Sequence, residues 1–201
     1  MRITLPDQVS YVEHASDIIA FATVLIEQER SFALITSIAI EGGAARELGS
    51  LAIVDDQGEM TGYLSNGCID QDIRVHAQNT LVSQKPTVVR YGDGSRFADL
   101  KLPCGGALSV LINPKPDTDA IVAAHNKLLA RTPAVIDFKI ENLSNISFAY
   151  RPKFRLVLAG RGAVFRAMAE IGKSSGFQVF GLSPDLGDLA SITALTDIPP
   201  I

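Results

Sequence analysis

Two cysteines have the clearest capacity for chemistry in this chain. Cys68 lies in "LSNGCIDQDI" and Cys104 in "LPCGGALSVLI", and they are the chain's two cysteines. Gly67 precedes the first, and Gly105 and Gly106 follow the second. A thiolate is a nucleophile and a soft ligand, and glycine lets a ligand approach the backbone closely. The pattern suggests two thiols that face one pocket; the alternative is two small core residues beside glycines that only serve turns.

A helix is predicted after Cys68, because apolar residues recur there at every fourth position: Ile69, Ile73, Ala77 and Leu81. The helix should begin near the first of these and end before Pro86, since the residue ahead of a proline avoids helical geometry. Its N-terminal amides and dipole would favour a Cys68 thiolate. Asp70 and Asp72 suit the first turn for the same reason, but they would oppose a second negative charge.

Other polar residues give weaker signals. Arg46, in the glycine-bearing loop "EGGAARELG", could bind a phosphate, although a single loop arginine is more often solvated. His14, His76 and His125 stand alone, with no nucleophile and base arranged for hydrolysis. The spacing of cysteines and histidines also lacks a zinc pattern. We therefore predict no catalytic residue and no resident metal site.

The helices and strands predicted around these residues indicate a mixed α/β domain over residues 1–149. Helical spacing with a cap at Ser16 or Asp17 predicts an N-terminal helix. Further segments predict a buried strand, a strand pair with a turn at 56–58, two more strands, a helix capped by Asp117 or Thr118, and a final strand pair.

Residues 150–201 predict a second, Rossmann-like βαβ unit. An apolar strand runs into Gly160-x-Gly162, followed by a helix and a second strand. Phe165 stands where the dinucleotide fingerprint has its third glycine, and Ser183 where it has an acid. Too few residues follow Ser183 to complete a dinucleotide-binding domain, so we expect this unit to be incomplete.

Composition narrows the class of protein. The chain has 201 residues, 47% hydrophobic and 20% charged, with a net charge of −4 and no basic run. These values predict a folded protein that does not bind nucleic acid. The absence of a long apolar run and of a signal peptide, together with few cysteines, predicts a soluble cytoplasmic protein without a membrane span.

Three motifs in this order resemble the XdhC/CoxI family of xanthine dehydrogenase accessory proteins: "LSNGCIDQDI", "LPCGGALSVLI" and "LVLAGRGAVFRAMAEIGKSSGFQVF". That family typically shows Gly-Gly-Cys-Val-Glu, then Gly-Cys-Gly-Gly, then a Rossmann-like domain. Here Asn66 and Asp70 replace the first glycine and the glutamate, and Pro103 replaces the glycine before Cys104. Arg46 matches an arginine-containing loop of the family.

The resemblance implies a non-catalytic maturation factor that binds the molybdenum cofactor and assists its sulfuration and insertion into a molybdenum hydroxylase. Cys68, Cys104 and their glycines would line the cofactor site, Arg46 would bind its phosphate, and Gly160 and Gly162 would bind a phosphate or position the second domain. Implied partners are the apo-hydroxylase, a cysteine desulfurase and a second copy in a homo-oligomer such as a dimer. Two alternatives stay open: an NAD(P)-dependent oxidoreductase, and a thiol redox protein in which the two cysteines form a disulfide.

Overall fold

A computed structural model describes residues 14–95, 105–140 and 145–194 of the chain. The chain divides into two compact units, Met1–Arg151 and Pro152–Ile201. The first is mixed α/β and the second contains a small parallel sheet with a βαβ unit, which confirms the predicted fold class. Within the described ranges, no helix is both long enough and apolar enough to cross a bilayer.

A five-stranded antiparallel sheet forms the centre of the first unit. Its strands are β1 (Phe32–Glu41), β2 (Leu51–Asp55), β3 (Met60–Thr61), β4 (Thr87–Gly92) and β5 (Ala107–Asn113). They are arranged in the order β3-β2-β1-β5-β4. Alternate residues of β1 face opposite sides, so that Leu34 joins one apolar core and Ile35 the other. Both faces of the sheet are therefore covered, and its central strands are apolar along most of their length.

Helices cover the two faces of this sheet. They are α1 (Ala15–Glu27), α2 (Asp70–Ser83) and α3 (Thr118–Leu129). α2 packs on one face through Ile73 and Ala77, which are fully buried, as the four-residue spacing predicts. Burial of one such isoleucine stabilises the fold by about 1.5–3 kcal/mol. α1 and α3 pack on the other face, together with the hairpin of β6 (Ala134–Phe138) and β7 (Ile146–Tyr150).

The helix caps were predicted correctly for α3 and wrongly for α1. Asp117 caps α3 by accepting a hydrogen bond from the Ala120 N–H at 3.0 Å. α1 is capped by His14 rather than by Ser16 or Asp17. The His14 Nδ1 atom accepts the Ser16 N–H at 3.2 Å, so that the helix begins one residue before the predicted cap.

The second unit contains β8 (Arg155–Ala159), α4 (Gly162–Ser174), β9 (Gln178–Leu182), a short 3-10 helix (Leu186–Leu189) and β10 (Thr193–Ala194). The three strands are parallel, in the order β10-β9-β8. Three apolar residues that recur at helical spacing along α4 are exposed: Val164, Met168 and Ile171. The helix instead buries an adjacent face that consists of Phe165, Ala169 and Gly172.

Candidate functional site

The segments that carry both cysteine motifs lie at one edge of the five-stranded sheet, formed by the ends of its strands. β1 and β4 end at this edge and β5 begins there, because Glu41 and Gly92 are both register partners of Ala107. Only residues 84–86 separate α2 from β4, so the helix and the strand run in opposite directions. The N-terminus of α2 therefore lies near the C-terminal end of β4. We name this region the glycine edge, defined by Gly42, Gly67, Gly92, Gly105 and Gly106.

Cys68 is exposed in the turn that leads into α2. The helix begins at Asp70 with Ile69 as its N-cap, so the thiol lies at a helix N-terminus, as the sequence predicts. The alternative of a buried core cysteine is wrong. Gly67 has a φ of +98°, and no described atom lies within 4 Å of the place that a Cβ would take. The backbone beside the thiol is therefore open.

The turn that carries Cys68 is built around the Asp70 carboxylate, which is 2% exposed. Its Oδ1 accepts the N–H groups of Leu64 at 2.8 Å and Ser65 at 3.2 Å. Its Oδ2 accepts the Ser65 hydroxyl at 2.8 Å and the Gly67 N–H at 2.6 Å. The Ser65 Oγ in turn accepts the Ile69 N–H at 2.9 Å. Asp70 therefore fixes the path of the backbone on both sides of the turn.

Arg46 is brought to this turn by the loop between β1 and β2. Its guanidinium lies over the ring of Tyr63, with Cζ 4.8 Å from the ring centroid. Ser37 of β1 stabilises this loop: its hydroxyl donates to the Glu47 carbonyl at 2.7 Å and accepts the Ser50 N–H at 3.0 Å. The half-buried Arg46 guanidinium thus contacts Tyr63, which lies in the segment that leads to Cys68.

The backbone around Gly106 is packed too closely for any side chain. A Cβ on Gly106 would lie 2.2 Å from the Gly43 carbonyl oxygen, and one on Gly92 would lie 2.1 Å from the Gly106 carbonyl oxygen. Gly105 differs, because it has a φ of +69° and no described atom within 4 Å of a Cβ position. Cys104 itself is outside the described residues, so a pocket shared by the two thiols remains a prediction.

Tyr91 ties β4 to α2 beneath the glycine edge. Its ring is fully buried, and its hydroxyl donates to the Asp72 carboxylate at 2.8 Å. Burial, followed by this bond, raises the pKa of Tyr91 far above its usual value, so that the hydroxyl stays a neutral donor. His76 is half-buried with Nε2 3.4 Å from the same carboxylate.

The Gly160-x-Gly162 turn of the second unit binds a side chain of its own unit. The Gly162 N–H, at the start of α4, donates to Oδ2 of Asp188 at 2.7 Å. Arg166 donates to Oδ1 of the same carboxylate, and the Ser183 hydroxyl donates to Oδ2 at 3.3 Å. Asp188 is 1% exposed. The pKa of Asp188 is held below its ordinary value, chiefly by the Gly162 N–H and also by Arg166.

Sequence reasoning missed the part that Asp70 and Asp188 play. A carboxylate at the first position of a helix is expected to be exposed and to stabilise the helix dipole. Asp70 is instead buried beneath the turn that precedes α2. The combination of Ser65, an Asn66-Gly67 turn and an acid three residues later was the available signal. In the second unit, Asp185 follows Ser183, the residue at the fingerprint's acid position, but it has another role. It caps the 3-10 helix instead, by accepting the Gly187 N–H at 2.9 Å.

The described ranges contain no group of three or more His, Cys, Asp or Glu side chains that could hold a metal ion. What the glycine edge offers is an exposed thiol, two open glycine backbones and a nearby guanidinium. Such a set can contact a flat, anionic or sulfur-containing molecule.

Comparison with known proteins places these features in a family context. Residues 25–92, which include the Arg46 loop and the Cys68 turn, match the XdhC and CoxI family. The chain is 27% identical over 196 residues to the molybdenum cofactor insertion chaperone PaoD of Escherichia coli K12, which covers 89% of this chain. The chain spans 62% of the length of that relative.

A solved structure shares the fold. The crystal structure of a protein described as a xanthine dehydrogenase from Bacillus halodurans superposes with a TM-score of 0.69 at 19% identity, over 87% of this chain and 65% of that one. The chain is therefore similar to the XdhC and CoxI family over residues 25–92 and, over most of its length, to the chaperone PaoD.

Proposed function

We propose that this chain binds the molybdenum cofactor as cargo and assists its sulfuration and insertion into a molybdenum hydroxylase such as xanthine dehydrogenase. The match of residues 25–92 to the XdhC and CoxI family and the name of the similar chaperone PaoD support this proposal. The observation that carries it is the exposed Cys68 thiol beside the open backbone of Gly67, at the glycine edge, where the open Gly105 shortly precedes β5.

The chemistry of the glycine edge suits this cargo. The molybdenum cofactor combines a flat pterin, a phosphate and a metal with sulfur ligands. A cysteine thiolate suits a sulfur-bound metal, and an arginine suits a phosphate through paired N–H donors. The open positions beside Gly67 and Gly105 would let a flat ring approach the main chain. In this proposal Cys68 and Cys104 face the cofactor, Arg46 faces its phosphate, and Gly106 keeps the three strands close.

The proposed role is that of a maturation factor rather than a turnover enzyme. Its partners would be the apo-hydroxylase that receives the cofactor and a cysteine desulfurase that supplies sulfur. A homo-oligomer, such as a dimer, in the cytoplasm is part of the same proposal. In the Rossmann-like second unit, Gly160 and Gly162 would bind a phosphate or position that unit.

Retention of the isolated molybdenum cofactor tests the proposal. The wild type, Cys68→Ala and Cys104→Ala are mixed with the cofactor and separated by gel filtration, and the molybdenum that stays with the protein is measured. We expect each alanine variant to retain about tenfold less at subsaturating cofactor, the scale on which loss of a ligand contact acts. Ser83→Ala, at the far end of α2, is the matched control. Equal retention by all four proteins would remove the cysteines from the site.

A further inference from the structure

The N-terminus of α4 presents the geometry that binds phosphate in nucleotide-binding proteins, but here it is already paired. A glycine turn that opens a helix offers free N–H groups and the positive end of the dipole to an anion. In this chain the Gly162 N–H is committed to the Asp188 carboxylate at 2.7 Å. Arg166, one turn into the same helix, also donates to that carboxylate. The Gly162 N–H and the Arg166 guanidinium, two groups that would attract a phosphate, are therefore bound to one internal anion.

Packing beneath the turn supports the same conclusion independently. Phe165 occupies the place of the fingerprint's third glycine, and its ring is 6% exposed. The ring lies against Gly181 of β9, where a Cβ would be 2.9 Å from the Phe165 Cζ atom. Close approach of helix and strand occurs further along, at Gly172, where a Cβ would be 2.7 Å from Leu156 Cδ2. The turn is thus supported by an aromatic ring rather than shaped by a third glycine.

We propose that Asp188 is a built-in anion that closes the Gly160-x-Gly162 turn, so that a phosphate-bearing ligand reaches Gly162 only when the 3-10 helix Leu186–Leu189 is displaced. The carboxylate and an incoming phosphate compete for the same N–H group and the same guanidinium. A site that is open for only a fraction of the time binds with an affinity reduced by that fraction. This closure weighs against the NAD(P)-dependent alternative and does not depend on the proposed chaperone role.

Titration of the full chain with inorganic pyrophosphate, followed through the amide resonance of Gly162, tests the closure. We expect no saturable shift in the wild type at millimolar pyrophosphate. Asp188→Ala should show a saturable shift, with an affinity at least about tenfold higher than the wild type. Glu170→Ala is the matched control, because it removes an exposed carboxylate from the same helix without touching the turn. This variant should behave like the wild type.

Three results would overturn the closure. The first is saturable binding at Gly162 in the wild type with the affinity of Asp188→Ala, and the second is a folded Asp188→Ala that gains no binding. The third is an equal gain in Glu170→Ala, which would show a general effect of charge. Should Asp188→Ala fail to fold, the wild type decides the matter through the scalar coupling across the hydrogen bond from Gly162 to Asp188. The coupling should persist in millimolar pyrophosphate, and its absence or loss would refute the proposal.

Discussion

Replacement of Asp70 by alanine is the perturbation whose cost follows most directly from the structure. The substitution removes the acceptor for three backbone N–H groups and one hydroxyl. Gly67 is exposed, so water can take over its N–H. Leu64 and Ser65 are 1% and 7% exposed, so that their N–H groups would be left without a partner. Each such buried donor costs about 1–3 kcal/mol.

The expected loss of stability for Asp70→Ala is therefore about 3–4 kcal/mol, from two buried donors and the lost interaction with the helix N-terminus. Asp70→Asn should lose less, about 1–2 kcal/mol, because its amide oxygen still accepts hydrogen bonds while its NH₂ group faces other donors. Asp119→Asn is the control, since Asp119 occupies the first turn of α3 and, among the described residues, no turn donates a hydrogen bond to its side chain. It should lose about 0.5 kcal/mol or less.

Urea unfolding followed by circular dichroism measures these free energies, with the slope of the transition as a check on the unfolded state. Hydrogen exchange at Leu64, Ser65 and Gly67 gives a local measurement of the same effect. Exchange at these amides should accelerate in Asp70→Ala and stay unchanged in Asp119→Asn. A loss below about 1 kcal/mol for Asp70→Ala, with its turn still protected, would refute the assignment of Asp70 as the organiser of the Cys68 turn.

Three further predictions concern other buried polar groups. Tyr150 donates to the Gly49 carbonyl at 3.0 Å, so Tyr150→Phe should lower the free energy of unfolding by about 1–2 kcal/mol in urea melts, and an unchanged midpoint would contradict this. The Thr36 hydroxyl is fully buried and finds no hydrogen-bond partner among the described residues. Thr36→Val should raise the melting temperature, by the equivalent of about 1 kcal/mol, and a lower one would count against it. The pKa of Asp188 is depressed, chiefly by the Gly162 N–H, so its contribution is present above its ordinary pKa and lost as pH falls through the folded pKa. Wild type should exceed Asp188→Asn in stability near neutral pH, and the difference should shrink below about pH 4; a constant difference would refute the linkage.

The features that could be predicted from the sequence depend on residues close to one another along the chain. The four-residue spacing that begins at Ile69 defines α2 and, with it, the position of Cys68 at a helix N-terminus. The alternation of apolar residues likewise predicts the hairpin of β6 and β7. Period and capping are local properties, and for this reason they can be read from a single chain.

The contacts that complete the two sites are of a different kind. Asp188 is 26 residues from its partner Gly162, and Tyr150 is 101 residues from Gly49. No local pattern marks such pairs, because the tertiary fold alone brings them together. The burial of Asp70 could not be predicted from the sequence for another reason, since a carboxylate is ordinarily solvated. Burial is tolerated here because four donors bind the Asp70 carboxylate.

Protection of the Cys68 thiol by the molybdenum cofactor is the most direct test of the proposed function. Cys104→Ser leaves Cys68 as the single thiol, and its rate of alkylation by iodoacetamide is measured with and without saturating cofactor. A second protein with Ser83→Cys in addition carries a reference thiol at the opposite end of α2. We predict that the cofactor slows alkylation of Cys68 by about tenfold or more and leaves the reference thiol unchanged. An unchanged rate at Cys68, with cofactor demonstrably bound, would contradict a cofactor site at the glycine edge.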